Sequence, residues 1–444
     1  MRPPDTPKPP QPPPPSAPTP APAPRLTADR NLRWLMAGSL ISLLGDQFSL
    51  LALPWAAMRL GGDAALVGTV LALVGVPRAV LILVGGAIVD RHGAQRVLMW
   101  SKHACTLLLA TLAALVWSGA LTPALLCLLA LGLGVASAYG IPAATAMLPQ
   151  TVGPALLAPA NGLMMGPRQL SFFIGPLLAG GLIVVLGPQG GSAAAGPSAD
   201  LGLAFALDAA SFALSAWTLS QVRAVRPAAV AASTTPVLAS LWQGLQAFWA
   251  DAELRLCLLY WSAVAVLIGG PVQVAVPLLA ASRADFGAGA FGAMLAAHGL
   301  GSLAGMGLAG ARPGLRWGTL GRSLLAVDLV VGLLFLPMGR VQALWQAQGL
   351  LLLIGVLGGM MQVAVYTWMQ QRVPAHLLGR AMGVFMAIFM GLVPLSAGLT
   401  GWLMRGQPVA LVFQLAGGAV ALLALAAALF TPLARVRDVA QRAH

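Results

Sequence analysis

The sequence predicts an all-α integral membrane protein whose twelve transmembrane helices form two pseudo-repeated six-helix bundles. Three observations carry this expectation. Of the 444 residues, 58% are hydrophobic and only 8% charged, against about 25% charged in ordinary soluble domains. Apolar runs of spanning length recur throughout, which overrides the prior of about 150 residues per soluble domain. The chain also resembles itself. Shifted by 221 residues, Gly86, Arg91 and Gly93 fall on Gly307, Arg312 and Gly314, and Gln150, Val152, Leu156, Leu157, Ala160 and Gly162 fall on Gln371, Val373, Leu377, Leu378, Ala381 and Gly383. A repeat of almost half the chain length points to two parallel six-span halves.

The first element, residues 1–30, holds 13 Pro between Pro3 and Pro24. That composition forms neither helix nor sheet and favours extended polyproline conformations, so a disordered cytoplasmic tail is expected. A ligand for a proline-binding module is the alternative. No signal peptide precedes the first apolar run, which is itself long enough to span. Spans are expected near 33–58, 64–89, 97–118, 122–147, 159–186, 201–222, 255–280, 287–310, 319–338, 342–369, 377–404 and 409–431. They are separated by charge clusters and Gly/Pro loops.

With the N-terminus inside, 19 of the 25 Lys and Arg residues sort to the tails or even-to-odd loops, four (Arg59, Arg283, Arg340, Arg405) fall outside, and Arg78 and Arg168 lie within spans. That bias puts both termini in the cytoplasm and the chain in the inner (plasma) membrane. The domains are therefore a tail (1–30), an N-terminal bundle (31–222), a linker (223–254), a C-terminal bundle (255–431) and a cytoplasmic tail (432–444). In the linker, Leu238, Leu241, Trp242, Leu245, Phe248 and Trp249 follow helical spacing, so an amphipathic helix on the inner membrane face is expected.

Several function classes are excluded. The net charge of +13 is dispersed between spans and forms no basic face with interleaved aromatics, so no nucleic-acid partner is expected. Cys105, Cys127 and Cys257 lie inside apolar runs without ligand-like spacing, which implies no metal site. There is no phosphate loop, nucleophile elbow or soluble domain to hold a catalytic site, so the chain is not expected to be an enzyme or to carry a cofactor.

The densest charge lies in "GGAIVDRHGAQRVLMW", the short turn between spans two and three. Gly86, Asp90, Arg91, Gly93 and Arg96 make the pattern G-x-x-x-D-R-x-G-x-x-R, and at this place among twelve spans it resembles the major facilitator superfamily. The second copy has Ala311 in place of the Asp, so the charged turn is whole only in the N-terminal half. Within that superfamily, "LLGDQFSLLALPW", "LPQTVGPALLAPANGL", "FALDAASFALSA", "FGAGAFGAMLAA" and "QQRVPAHLLGRAMG" most resemble the branch of enterobactin exporters and macrolide efflux proteins. The resemblance covers about 31–431. It implies the major facilitator fold, with Asp90 latching the halves on the inner side against the start of span eleven. An anion at a helix N-terminus is favoured by the free N–H groups and the helix dipole. Arg91 and Arg96 would hold lipid phosphate or nearby acceptors.

Charges buried in a bilayer are costly and mark paired networks or function. The candidates are Asp46, Arg78, Arg168, Asp208, His298 and Asp328. Helix rise places Asp46 ~20 Å, Arg78 ~18 Å, Arg168 ~14 Å and Asp208 ~21 Å from the cytoplasmic ends. Span one lines the central cavity in the fold that the resemblance implies. Asp46 is therefore the expected site for a coupling proton or a cationic substrate group, with Arg78 or Arg168 as resting counter-ion. A permanent structural pair is the alternative, and it is the expected reading of Asp208 and Asp328. His298 titrates near neutral pH when unperturbed, but beside Gly299 it also suits a packing role.

Tyr139, Gln273, Gln362 and Tyr366 are candidates for substrate contact, although each could simply bond a neighbouring helix. Gly175 and Pro176 in "GPLLAGG" predict a bend in span five. Trp55 and Trp402 near span ends suggest interfacial anchors. Two features depart from the drug–proton antiporter pattern: span four has no Arg, and Ser171 stands where an earlier Gly is expected.

The expected function is secondary active export of a small molecule (drug, macrolide or siderophore-like) by alternating access, as a proton-coupled antiporter using the proton gradient. Uptake or facilitated diffusion on the same fold is one alternative. A non-transporting scaffold or sensor that recruits a partner through the Pro-rich tail is another. The expected partners are a small-molecule substrate and the lipid bilayer, with a monomer as the starting expectation.

Overall fold

The computed structural model describes residues 29–61, 63–152, 199–223, 248–283, 285–312 and 318–436, with isolated positions between 160 and 178 and between 242 and 246. In order the helices are α1 (Arg30–Gly61), α2 (Ala64–His92), α3 (Ala94–Trp117), α4 (Pro123–Ala138), α5 (Gly140–Thr151), α6 (Ala199–Ser220), α7 (Ala252–Val264), α8 (Gly270–Ser282), α9 (Gly287–Ala311), α10 (Leu320–Phe335), α11 (Leu344–Arg372), α12 (Ala375–Leu403) and α13 (Val409–Phe430). No strand occurs among the described residues, and eleven stretches there are long and apolar enough to cross a membrane. The predicted fifth span, 159–186, lies largely outside the described residues, as do Arg168 and Pro176.

Local chemistry sets the ends of the spans. Asp63, Thr122, Asp251 and Thr319 each occupy an N-cap with a side-chain oxygen accepting from the first turn, satisfying donors that would otherwise have no partner in lipid. Two predicted spans are broken. Span four divides at Tyr139 into α4 and α5, with Pro142 just beyond the break. Span seven passes from α7 to α8 through a π-helical turn, Ala265–Gly269. There Ser396 of α12 donates to the Val266 carbonyl at 2.6 Å, supplying a partner where the helical ladder is disturbed.

One expectation is corrected. Trp55 is no interfacial anchor: it is 3% exposed, inside the core, whereas Trp402 is 71% exposed. The first residues of the C-terminal tail are packed on the bundle, for Leu433 is fully buried and Thr319 and the Gly321 N–H bond the Ala434 and Val436 carbonyls. In the linker, the described part of the expected amphipathic helix is helical, with Phe248 buried and Trp242 and Trp249 exposed.

Three apolar clusters show how the halves are joined. At the face away from the chain termini, one core runs through both, from Leu51, Val67, Leu112 and Phe205 in the first half to Ala275, Met294, Phe335 and Phe413 in the second. At the terminal face each half has its own core, one around Leu32, Val97 and Met147, the other around Trp261, Trp368 and Phe385.

The seam between the halves is α2 against α12. A Cβ on Gly68 would lie 2.5 Å from the Ala397 carbonyl oxygen, and one on Gly401 would lie 2.3 Å from that of Ala64, so these backbones touch. Nearer the terminal face the contact loosens: a Cβ on Gly391 would lie 3.3 Å from the Ala79 side chain. Beyond it, Val80 is 58% and Val84 44% exposed. Arg405 bridges to Asp63 at 2.9 Å across the closed end. The bundle is thus closed at one face and parted at the terminal face.

Candidate functional site

At the apex where the halves part, the first half gathers its intramembrane charges. The packing of α1 against α6 brings them there. Gly38, Ser42, Gly45 and Ser49 repeat at helical spacing on one face of α1 and are small enough for close approach. Ser215 of α6 donates to the Gly38 carbonyl at 2.6 Å. Asp208, 1% exposed, is held in this interface by two hydroxyls, Ser49 and Ser211. Those bonds satisfy a buried carboxylate without a cation in direct contact.

Asp46 differs from Asp208 in one decisive way: it is exposed. Among the described residues it has no direct hydrogen-bonded or ion-paired partner; the ion pairs there belong to Arg372 and Arg405. It is nonetheless surrounded by charge, for Arg78 of α2 and Lys102 of α3 both act on it, and Asp208 faces it as a like charge. All four charges are also felt at Cys105, one turn along α3 from Lys102. Arg78 is anchored by its Nε–H to Ser137 Oγ at 2.9 Å. It adjoins Ala79, which meets Gly391 of α12.

Lys102 escaped the sequence reading. It is 9% exposed, its Nζ lies 3.4 Å from Ser42 Oγ, and it sits 5.6 Å over the Phe212 ring. Charge sorting groups it with Arg91 and Arg96 of the cytoplasmic turn, although it falls six residues into the expected span 97–118. The usable signal is the buried stripe Leu98, Lys102, Cys105, Leu109 and Leu112 on α3, in which Lys102 is the one polar member.

The other predicted residues scatter. The expected counter-ion Arg168 and the Pro of the bend motif are outside the described residues, while Gly175 is buried against Gln47 of α1. Ser171, one turn earlier, donates to the Leu43 carbonyl at 2.5 Å. His298 lies in the second half, its Nδ1 3.4 Å from the Leu351 carbonyl of α11. Asp328 accepts from Tyr260 Oη at 2.9 Å.

Tyr139 lines a lateral apolar groove of about 570 Å³ with Trp100 and Val135. Gln273 and Gln362 are exposed. Tyr366 joins an aromatic cluster, 5.7 Å from Phe385, which in turn meets Phe389 at 4.5 Å and Trp261 at 5.8 Å. The charged turn lies open: Asp90, Arg91, Gly93 and Arg96 are exposed, Gly86 is half-buried, and Gly93 takes φ 87° between α2 and α3. Pro374, at the start of α12, makes no side-chain cap bond. No cluster suited to a metal ion occurs among the described residues.

Comparison with known proteins places this geometry. The family model described as Major Facilitator Superfamily matches residues 35–398. An uncharacterized MFS-type transporter, y4rN of Sinorhizobium fredii, is 27% identical over 397 residues, covering 88% of this chain and 92% of its own. A bacterial homologue of the iron transporter ferroportin in an inward-facing state superposes with a TM-score of 0.68 at 16% identity, covering 89% of this chain and 97% of that one. The nucleoside transporter NupG superposes with a TM-score of 0.68 at 14% identity, covering 89% and 98%. At these identities the superpositions establish the fold alone.

Proposed function

The chain belongs to the Major Facilitator Superfamily, and on that premise we propose that it exports a small molecule by proton-coupled antiport. Members of this family are transporters rather than enzymes. The observation that carries the reading is Asp46, an exposed carboxylate at the apex of a bundle closed on one face, with cations close by and, among the described residues, none bound directly. Such a group can take a proton or a cationic substrate group in turn, as exchange requires.

The excess of basic residues on the terminal face favours a cytoplasmic location for both termini in the plasma membrane. In that orientation the conformation described is inward-facing, like that of the ferroportin homologue. Alternating access then needs the α2–α12 seam to open and the terminal face to close. Asp90 is positioned at the end of α2 to meet the start of α12 when it does, making the inner latch in the outward-facing state.

The test is Asp46→Asn, which keeps size and removes titration. A substrate is first found by a susceptibility and accumulation screen in an efflux-deficient bacterium. In proteoliposomes with an imposed pH gradient, Asp46→Asn should lose uphill accumulation while retaining downhill exchange of that substrate. Unchanged uphill transport at normal expression would sink the reading.

A further inference from the structure

We propose that Lys102 is a positioning residue for the exchange site: its buried ammonium is the standing counter-charge to Asp46, and it sets the pH at which Asp46 takes up a proton. The inference rests on the reading of Asp46 as the exchanging carboxylate, and it adds a residue that neither the charged turn nor the span-four pattern supplies.

A primary ammonium has three donors, yet the direct partners of Lys102 are Ser42 Oγ at 3.4 Å and the Phe212 ring at 5.6 Å. Both are neutral. Burying a cation among neutral groups is costly unless a negative charge lies near. The groups facing Lys102 from each packed helix identify that charge. Asp46 of α1, one turn beyond the Ser42 that Lys102 touches, and Cys105 of its own helix act on Lys102, while Arg78 of α2 and the carboxylate Asp208 of α6 act on the adjacent Cys105. The segments α4 and α5 contain no charged residue. Asp208 already accepts from Ser49 and Ser211, which leaves Asp46 as the carboxylate with free acceptor capacity among the described residues.

The arrangement has a directional logic. Lys102 lies behind Asp46, 9% exposed, while Asp46 faces solvent. An incoming proton or cation therefore meets the carboxylate first and competes with the ammonium at its back. That charge disfavours occupancy of Asp46 and promotes release, so each bound species leaves without stranding an isolated anion. Lys102 exchanges no proton with substrate in this scheme; a proton from cleft water adds to an Asp46 oxygen and later returns to water.

The experiment is an infrared pH titration of the purified full chain in nanodiscs, with no substrate required. The protonated-carboxyl band of Asp46 is assigned by its loss in Asp46→Asn. Replacing Lys102 by Gln or by Met should move the midpoint of that band to higher pH by about one unit, the size expected for removing a nearby opposite charge. Lys102→Arg should restore the original midpoint. A midpoint unmoved in both neutral variants would overturn the role of Lys102 while leaving Asp46 in place. Collapse of both neutral variants, with Lys102→Arg folded, would overturn it in favour of a purely structural cation. If Asp46→Asn removed no titrating band, the reading of Asp46 would itself fall, and this inference with it.

Discussion

Gly68→Ala should drive the protein toward the conformation that is open at the other face. The added Cβ would sit 2.5 Å from the Ala397 carbonyl oxygen, 2.9 Å from Gly401 Cα and 3.2 Å from Gly401 N. All three are backbone atoms of α12, so no side chain can swing aside, and the two helices must separate by something on the order of an ångström. Overpacking of this kind costs about 1–3 kcal/mol, and only the state with the seam closed bears it. A differential of that size changes the ratio of the two states about 5–150-fold.

The assay is spin-label distance measurement in nanodiscs, with Cys105, Cys127 and Cys257 replaced by Ala. Labels at Ser118→Cys and Gln342→Cys report the closed face; labels at Ser220→Cys and Gln371→Cys report the parted face. The first distance should lengthen and the second shorten. Gly418→Ala, where an added Cβ meets nothing within 4 Å, should change neither. Unaltered distributions in Gly68→Ala would refute the argument that this seam holds the halves together.

Two further outcomes follow from the charges at the terminal face. If Asp90 makes the proposed inner latch, Asp90→Asn should slow transport and raise cleft labelling from the terminal side; Arg312→Gln in the incomplete repeat should do much less. Asp251→Ala should lower the thermal midpoint at neutral pH. Burial alone would raise the Asp251 carboxyl, but the Arg372 bond at 2.6 Å and the N–H groups of Leu254 and Glu253 outweigh it and hold it below its ordinary value of 3.8. A lowered carboxyl contributes its stability above its unfolded value and loses it as pH falls through its folded one. The gap between wild type and variant should therefore be full above about pH 5 and close as acid is added below pH 3.8. A gap independent of pH would mean that the ion pair contributes nothing.

Hydropathy made the helices legible because each span must be apolar along its whole length, and positions such as Asp46, Arg78 and Asp208 stand out against that background. Lys102 does not stand out, since it lies six residues from Arg96 in a stretch that also holds His103. Only the helical stripe, not the local composition, reveals that it points inward. The breaks at Tyr139 and at Ala265–Gly269 were hidden for a related reason: hydropathy is blind to a change of helical pitch inside an apolar run. Trp55 was misread because its distance along the span suggests an interface, while its burial is decided by the core that joins the halves. The direction in which the bundle parts is also absent from the pattern, because an apolar span reads the same whichever face of the bundle is closed.

The bridge at the closed face divides the labour of one carboxylate between two oxygens. Oδ1 of Asp63 accepts from the Leu66 N–H at 2.8 Å, and Oδ2 meets Arg405 at 2.9 Å. The first bond fixes the carboxylate before the second forms, so little side-chain freedom is lost in docking. When the halves separate, Asp63 keeps its helix-start bond, and Arg405, 68% exposed, returns to water. Neither charge is left bare. An exposed pair of this kind is worth about 0.2–1 kcal/mol, enough to tilt a balance by a small factor and too little to bar the way. It works as a door catch rather than a bolt: it tells the resting molecule which side to shut, yields to a small push, and asks no repair before closing again.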